Sequence, residues 1–469
     1  MIRSSWSWFP SVLGVSLGLL GIAACSESRS TTIADAGADA TDDAGPTGFV
    51  AEITADAESQ YAPTWVDFSA AITGGTPPYS VVWQLGDGSE ESGTEARHLY
   101  PAPGTYQVTV AITDDDGATA TCVSAPSCAL EVEVLEATLA AVPACDMTSG
   151  RVWPAAHGDV CLCPWKDDKL AAISITIDDN TAPEHDWWIA QGETHDFRFT
   201  WFVITERIGT GDFWGTWQQF ADLHSLGHDV QSHTVSHLSG NLTIEEEYRD
   251  SQLAIEANIP GIEVPTLAYP GGTNSHLNDP AVAAQYYVGA RGTVGHQNPI
   301  GNTDYMNTNS VSSFVYQTDH WASITNLTQY DAAHPGSYMA WQCMHFHGVS
   351  SIATEVADGL AYIKAHEADL WMGLFREVAL YGQERDGAQV FSQVDPDEVR
   401  LRITDDLDDD TFDFPLTVKV RLDAAWTDVA ASQSGASIPV ELVDHDGAPY
   451  ALAQVRPDGG DVILSRTDE

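Results

Sequence analysis

The chain has 469 residues, too many for one ordinary domain, and its hydrophobic fraction of 43% is enough for more than one core. Against 19 basic residues stand 68 acidic ones, for a formal charge of -49. A surface of that sign repels phosphate backbones and anionic headgroups, which argues against nucleic acid and leaves uncharged or cationic polymers, polysaccharides among them.

The N-terminal octet MIRSSWSW carries one Arg and leads into FPSVLGVSLGLLGIAAC, an apolar run ending in small residues at Cys25. From Phe9 to Ala24 this run falls short of the ~20 residues a membrane-spanning helix needs. IAAC resembles a bacterial lipobox, so residues 1–24 are expected to be a signal peptide and Cys25 the lipidated first residue of the mature chain. An ordinary cleaved signal peptide is the alternative. Ser26 in place of Asp resembles the sorting signal for the outer membrane of a Gram-negative cell. The expectation is an exported, lipid-anchored envelope protein whose membrane contact is the anchor itself. Residues 25–47 are rich in Ser, Thr, Ala, Asp and Gly and read as a flexible tether. Six cysteines remain beyond Cys25, an even number in an oxidising compartment. Cys122–Cys128 is the natural short-loop pair, and Cys145 is left to pair with Cys161 or Cys163.

Residues 48–136 alternate apolar and polar in short runs such as WVDFSAAI, YSVVWQL and TYQVTVAIT, separated by GGTPP, GDGSE, PAPG and DDDG. That spacing predicts an immunoglobulin-like β-sandwich. Trp83, Gly86–Asp87–Gly88, Tyr100, Gly104–Thr105–Tyr106 and Asp116–Gly117 resemble the PKD domain, which implies spacing, adhesion or glycan contact rather than chemistry. Asp114–Asp116 read as a solvated hairpin turn. Residues 137–164 are expected to be a cysteine-containing linker.

From 165 to 388 strands and helices alternate. AAISITI (171–177) is apolar throughout, as a strand buried on both faces must be. RFTWFVI, HDVQSHT and PTLAYP read as further strands. Helical spacing over 213–227 ends at a glycine, and Thr243 caps a helix with an acidic first turn. YMAWQCMHF and LWMGLF close the series. This order predicts an α/β class domain, a distorted (β/α) barrel with its chemistry at the strand C-termini. Residues 392–469 alternate again and are expected to form a small all-β appendix, with Asp405–Asp410 a solvated turn.

Three groups can carry chemistry. Asp178 and Asp179 end the first barrel strand, and two adjacent carboxylates need a cation or a proton between them. His233 and His237, in SHTVSH, follow another strand. His345 and His347 close a late strand, with Gly348 after them. One Asp and two His leave coordination positions open for water, as a catalytic zinc site does. A second Asp can take the water's proton, and a histidine can protonate the leaving group.

Thr176-Ile177-Asp178-Asp179 and His233-Thr234-Val235-Ser236-His237 resemble the first two motifs of the NodB-homology polysaccharide deacetylases, carbohydrate esterase family four. The resemblance implies that Asp178 is the base, that Asp179, His233 and His237 hold a divalent metal (Zn2+ first, Co2+ or Ni2+ as alternatives), and that His347 rather than His345 is the acid. The family's third motif begins with Arg, whereas this chain has Ala268-Tyr269-Pro270-Gly271-Gly272. Arg291, ending the next strand, is expected to reach the base instead. Backbone N–H around Gly271 is expected to face the oxyanion. Trp187, Trp188, Tyr269 and Trp321 are candidate sugar-stacking groups. The fourth motif, D-x-x-W, has no match at its spacing; TDHW (318–321) carries only the residue types. The expected function is hydrolysis of acetyl groups on a polysaccharide containing N-acetylglucosamine. An acetylxylan-type O-deacetylase or a glycan-binding lipoprotein without turnover are the alternatives.

Overall fold

The computed structural model describes residues 49–467, apart from 58–61, 63, 124–127, 136–138, 148, 273–274, 313–322 and 396–397. The expected signal peptide, Cys25, the tether, TDHW and Trp321 lie outside these residues.

Alternating burial along the first strands builds two facing sheets, antiparallel except where Thr121–Cys122 runs parallel to Val50–Ala57. Val50–Ala57 (β1), Thr64–Thr73 (β2), Glu95–Tyr100 (β5) and Thr121–Cys122 (β7) form one, in the order β5-β2-β1-β7. Ser80–Gln84 (β3), Glu90–Ser92 (β4), Gly104–Thr113 (β6) and Ala129–Val134 (β8) form the other, in the order β4-β3-β6-β8. Their inward residues, Phe68, Trp83, Tyr100 and Ile112 among them, make a core of their own. A Cys122–Cys128 disulfide joins β7 to β8. Asp114 departs from the expectation of a solvated turn: it is buried, and its carboxylate accepts from the N–H groups of Thr76 and Ala118.

The expected linker 137–164 is instead built into the C-terminal sheets. Ala140–Val142 (β9) and Val160–Leu162 (β10) each pair with a strand from the far end of the chain, and a Cys145–Cys161 disulfide ties the segment together. Cys163 and Cys343 are free and buried.

Ala171–Ile177 (β11) is buried at every position, because parallel strands lie beneath helices on one face and a filled interior on the other. Around it run Thr200–Val203 (β12), Asp229–Ser232 (β13), Thr266–Ala268 (β14), Gly289–Arg291 (β15), Trp341–Phe346 (β16) and Leu370–Met372 (β17). The sheet order is β15-β14-β13-β12-β11-β16, all parallel, with β17 also on β11. It curls without closing: β15 and β16 are bridged by the returning segment 292–312, through Arg291–Thr308, Asn298–Trp341 and Val311–Met344. The helices are His185–His195 (α1), Trp217–Ser225 (α2), Ile244–Asn258 (α3), Pro280–Ala283 (α4), Thr325–Thr328 (α5), Ala353–Ala365 (α6) and Phe375–Gly387 (α7). Thr216 with Gln219 and Thr243 with Glu246 form capping boxes that start α2 and α3.

The last strands are Gln389–Asp395 (β18), Glu398–Thr404 (β19), Leu416–Arg421 (β20), Val429–Gln433 (β21), Ala436–Ser437 (β22), Val440–His445 (β23), Ala448–Val455 (β24) and Val462–Arg466 (β25). They form two antiparallel sheets, β10-β20-β24-β23 and β22-β21-β25-β19-β18-β9. Trp341, Trp371, Phe375 and Tyr381 of the barrel pack in one core with Val399, Leu401, Val418 and Leu464. The expected appendix therefore begins at Gln389 and is no separate body: α7 is buried between it and the barrel, with Glu384 and Arg385 also inside.

Candidate metal centre and catalytic site

Each candidate residue of the barrel sits where a strand ends. Asp178 and Asp179 follow β11, His233 follows β13, Arg291 closes β15, and His347 follows β16. After β11 the backbone makes a turn of three consecutive left-handed residues, Asp179 (φ 55°), Asn180 (φ 63°) and Thr181 (φ 38°). For residues other than glycine this costs roughly 1–2 kcal/mol each, so the turn must be held from outside. Asn180 does much of that: its Oδ1 accepts from Ile204 N–H at 2.9 Å, and its Nδ2 donates to the Trp214 carbonyl at 3.1 Å. The turn aims Asp179 at the histidine loop, which carries two left-handed residues of its own, Thr234 and His237.

Unpaired atoms mark out the metal-ligand geometry. Asp179 Oδ1 is buried and has no hydrogen-bond partner among the described residues. It lies 3.6 Å from His233 Nε2 and 3.8 Å from His237 Nε2, too far for hydrogen bonds. Ligands about 2.1 Å from a tetrahedral zinc stand about 3.4 Å apart, close to these gaps. One ligand atom from each of Asp179, His233 and His237 lies within 4.8 Å of the others. His233 Nδ1–H donates to the Ala268 carbonyl at 2.7 Å, which leaves Nε2 as the lone-pair nitrogen facing Asp179. Burial lowers the pKa of His233, favouring the neutral ring that a metal requires. The residues fit a divalent ion.

Asp178 is 2% exposed, and Arg291, 0% exposed, donates to its Oδ2 at 2.5 Å. Burial opposes ionisation of Asp178, yet Arg291 and the surrounding histidines outweigh it and hold the carboxyl at about 2. Its Oδ1 has no partner among the described residues. The residue is a carboxylate with one oxygen anchored and one free to accept a proton. Across the mouth His347, with 61% of its side chain exposed, places Nε2 3.9 Å from both Asp178 Oδ2 and Asp179 Oδ2. His345 is different. It is buried, its Nδ1 lies 2.6 Å from Ser310 Oγ, and burial followed by Arg291 brings its pKa down to about 4.

Two substrate-side expectations change. Tyr269 is 1% exposed and its hydroxyl donates to the Met306 carbonyl, so the ring belongs to the core and cannot stack on a sugar. Trp188 is likewise fully buried, whereas Trp187 is half-buried. Gly271 is exposed and turns in the left-handed region (φ 67°).

Two carboxylates that motif reading passes over hold the loops. Glu247 of α3, buried, accepts from Val235 N–H and Ser236 N–H, each at 2.9 Å, and from the Ser236 hydroxyl. It thereby pins the two residues nearest His237 on its N-terminal side. Glu184 binds the loop after His347 in the same way. The only sequence signal for Glu247 was its place in the acidic first turn of α3, which has an ordinary dipole explanation.

Residues 48–126 match the family model described as the PKD domain, and residues 166–290 match that of polysaccharide deacetylase. Residues 166–290 form a polysaccharide deacetylase domain. The family is one of hydrolases generally dependent on a divalent metal, and a possible Asp/His ligand set is present here. The deacetylase match ends one residue before Arg291 and well before His347. A curated Bacillus protein named gellan lyase is 36% identical over 342 residues, 66% of this chain. The chain spans only 13% of that relative's length. Among solved structures, a Bacillus cereus polysaccharide deacetylase aligns at 13% identity and TM-score 0.26, over 66% of this chain and 99% of its own. A Streptococcus pyogenes deacetylase solved with acetate aligns at 21% identity and TM-score 0.26, over 29% and 62%. A PKD domain of a Vibrio cholerae metalloprotease aligns at 20% identity and TM-score 0.16, over 19% and 98%.

Proposed function

We propose that the deacetylase domain hydrolyses acetyl groups from a polysaccharide containing N-acetylglucosamine, with Zn2+ held by Asp179, His233 and His237. The observation that carries this is Asp178: a buried carboxylate, kept ionised by Arg291, with one oxygen unpartnered among the described residues, and next in sequence to a member of a three-ligand set. A glycan binder has no use for a spare base there.

A bound divalent ion would polarise the acetyl carbonyl and lower the pKa of water from 15.7 toward ~7. Asp178 Oδ1 takes the proton of the attacking water, while Arg291 fixes the other oxygen so that the carboxylate neither rotates nor loses its charge beforehand. Backbone N–H around Gly271 is the donor proposed for the developing oxyanion. His347 delivers a proton to the leaving nitrogen as the C–N bond breaks, releasing acetate and the free amine. The lyase name of the relative belongs to that protein and is not carried over.

Acetate release from acetylated chito-oligomers and from acetylxylan, by the zinc-loaded chain and by Asp178→Asn, tests this. Wild type is expected to act on the amide substrate with Asp178→Asn at least ~100-fold slower. Equal silence of both proteins on both substrates, with glycan still bound, would sink the enzymatic reading.

We further propose export and lipid anchoring at Cys25 in a Gram-negative outer membrane. The two disulfides support an oxidising compartment. Metabolic labelling with a radioactive fatty acid, lost in Cys25→Ala, checks the anchor.

A further inference from the structure

A general acid must be held at a fixed height over the reacting atoms, yet the His347 imidazole stands largely exposed. Gly348 follows it directly, so the main chain on that side has no side chain to steady it. α6 begins only at Ala353, and its capping residue Ile352 has no side chain that accepts a hydrogen bond from the helix.

The loop is held from the turn after β11, the strand paired with β16. Glu184 Oε2 accepts from Val349 N–H at 2.6 Å, and Oε1 accepts from Ser350 N–H at 3.1 Å and from the Ser350 hydroxyl at 2.9 Å. On the near side of Gly348, the Thr181 hydroxyl lies 2.7 Å from the His347 carbonyl and 2.9 Å from that of Asp178, sharing one proton between them. Both anchors come from the segment 178–184, which also carries the base and one metal ligand. That short stretch therefore sets the acid relative to the base. Both Glu184 oxygens are committed to the loop, so its role is not to bind substrate.

We propose that Glu184 is a positioning residue for the general acid. The inference rests on the deacetylase reading. An amide nitrogen cannot leave without a proton, whereas an aryloxide can. A displaced His347 must therefore slow release of an amine and spare release of a phenolate. A shift of about 1 Å at a reacting group is worth up to ~100-fold in rate.

The test uses the full zinc-loaded chain. Glu184→Ala is expected to lower kcat on N-acetylated chito-oligomers by about 10–100-fold with KM within about twofold. It should leave 4-nitrophenyl acetate hydrolysis and zinc content near wild type. Hydrogen exchange at the Val349 and Ser350 amides should quicken. Glu184→Gln keeps an acceptor for Ser350 but turns an amide toward Val349, and should recover part of the lost kcat. It also serves as the test if the alanine variant does not fold. Equal losses on both substrates, or faster exchange with unchanged kcat, overturn the positioning role and leave the deacetylase reading intact. A wild-type chain that releases no acetate overturns that reading, and this role with it.

Discussion

Replacing Arg291 by Met keeps bulk against Phe202 and removes the charge that faces Asp178. Both partners are sealed from solvent, so the carboxylate left behind is a buried, uncompensated ion. Breaking such a pair from one side costs ~3–5 kcal/mol. At ~2–4 °C per kcal/mol, the melting temperature should drop on the order of 10 °C. The sign with pH follows from the depressed pKa. The pair contributes stability above about pH 3.8, and that contribution is lost as pH falls through about 2. Asp178→Asn/Arg291→Met removes both charges and should recover most of the loss, giving a coupling of ~2 kcal/mol or more. Circular-dichroism melts of the four metal-free proteins at pH 7 measure this cycle. Additivity within ~0.5 kcal/mol, or a single-variant cost below ~1 kcal/mol, would show that Arg291 does not hold the base.

Glu247→Ala frees the backbone between the two histidines and should weaken zinc binding about tenfold or more, read by chelator competition, while Glu247→Gln loses less. His347→Ala should keep its zinc and lose ~10²–10⁴-fold on an N-acetyl substrate, measured as acetate release; a full loss of metal would mean that this ring is a ligand. Glu384, fully buried beneath the C-terminal strands, is pushed up to about 8 by burial, against one hydrogen bond from Phe414 N–H. A raised carboxyl makes folding less favourable as pH climbs from about 4.5 to about 8, by up to ~4–5 kcal/mol at 1.36 kcal/mol per unit. Glu384→Gln should flatten that slope and melt higher than wild type at pH 8, and unchanged melting curves would refute the assignment.

Much of the site was legible because its chemistry is local. Asp178–Asp179 and His233–His237 lie at the ends of apolar runs whose length and neighbours mark them as strands, and parallel strands deliver their C-termini to one mouth. Arg291 could be suggested for the same reason, as a charge at a strand end. Glu184 and Glu247 could not. Each acts by accepting from the backbone of a loop, 165 residues away for Glu184 and 11–12 for Glu247, and such a contact leaves no spacing or pattern behind. The inward turn of Tyr269 is set by its hydroxyl donating to the Met306 carbonyl, a contact 37 residues away that the local sequence does not show. Residues 137–164 looked like a linker because two three-residue strands have no periodicity of their own; only their partners, β18 and β20, make them strands.

That last pairing has a consequence for how the molecule comes into being. β10 meets β20 only after some 250 further residues have been made, and until then neither the base of the barrel nor its cysteine-tied approach has a finished edge. The deacetylase unit cannot mature from its N-terminal end alone, nor be moved to another protein as residues 166–290 by themselves. Its natural cassette runs from about Ala140 to Arg466.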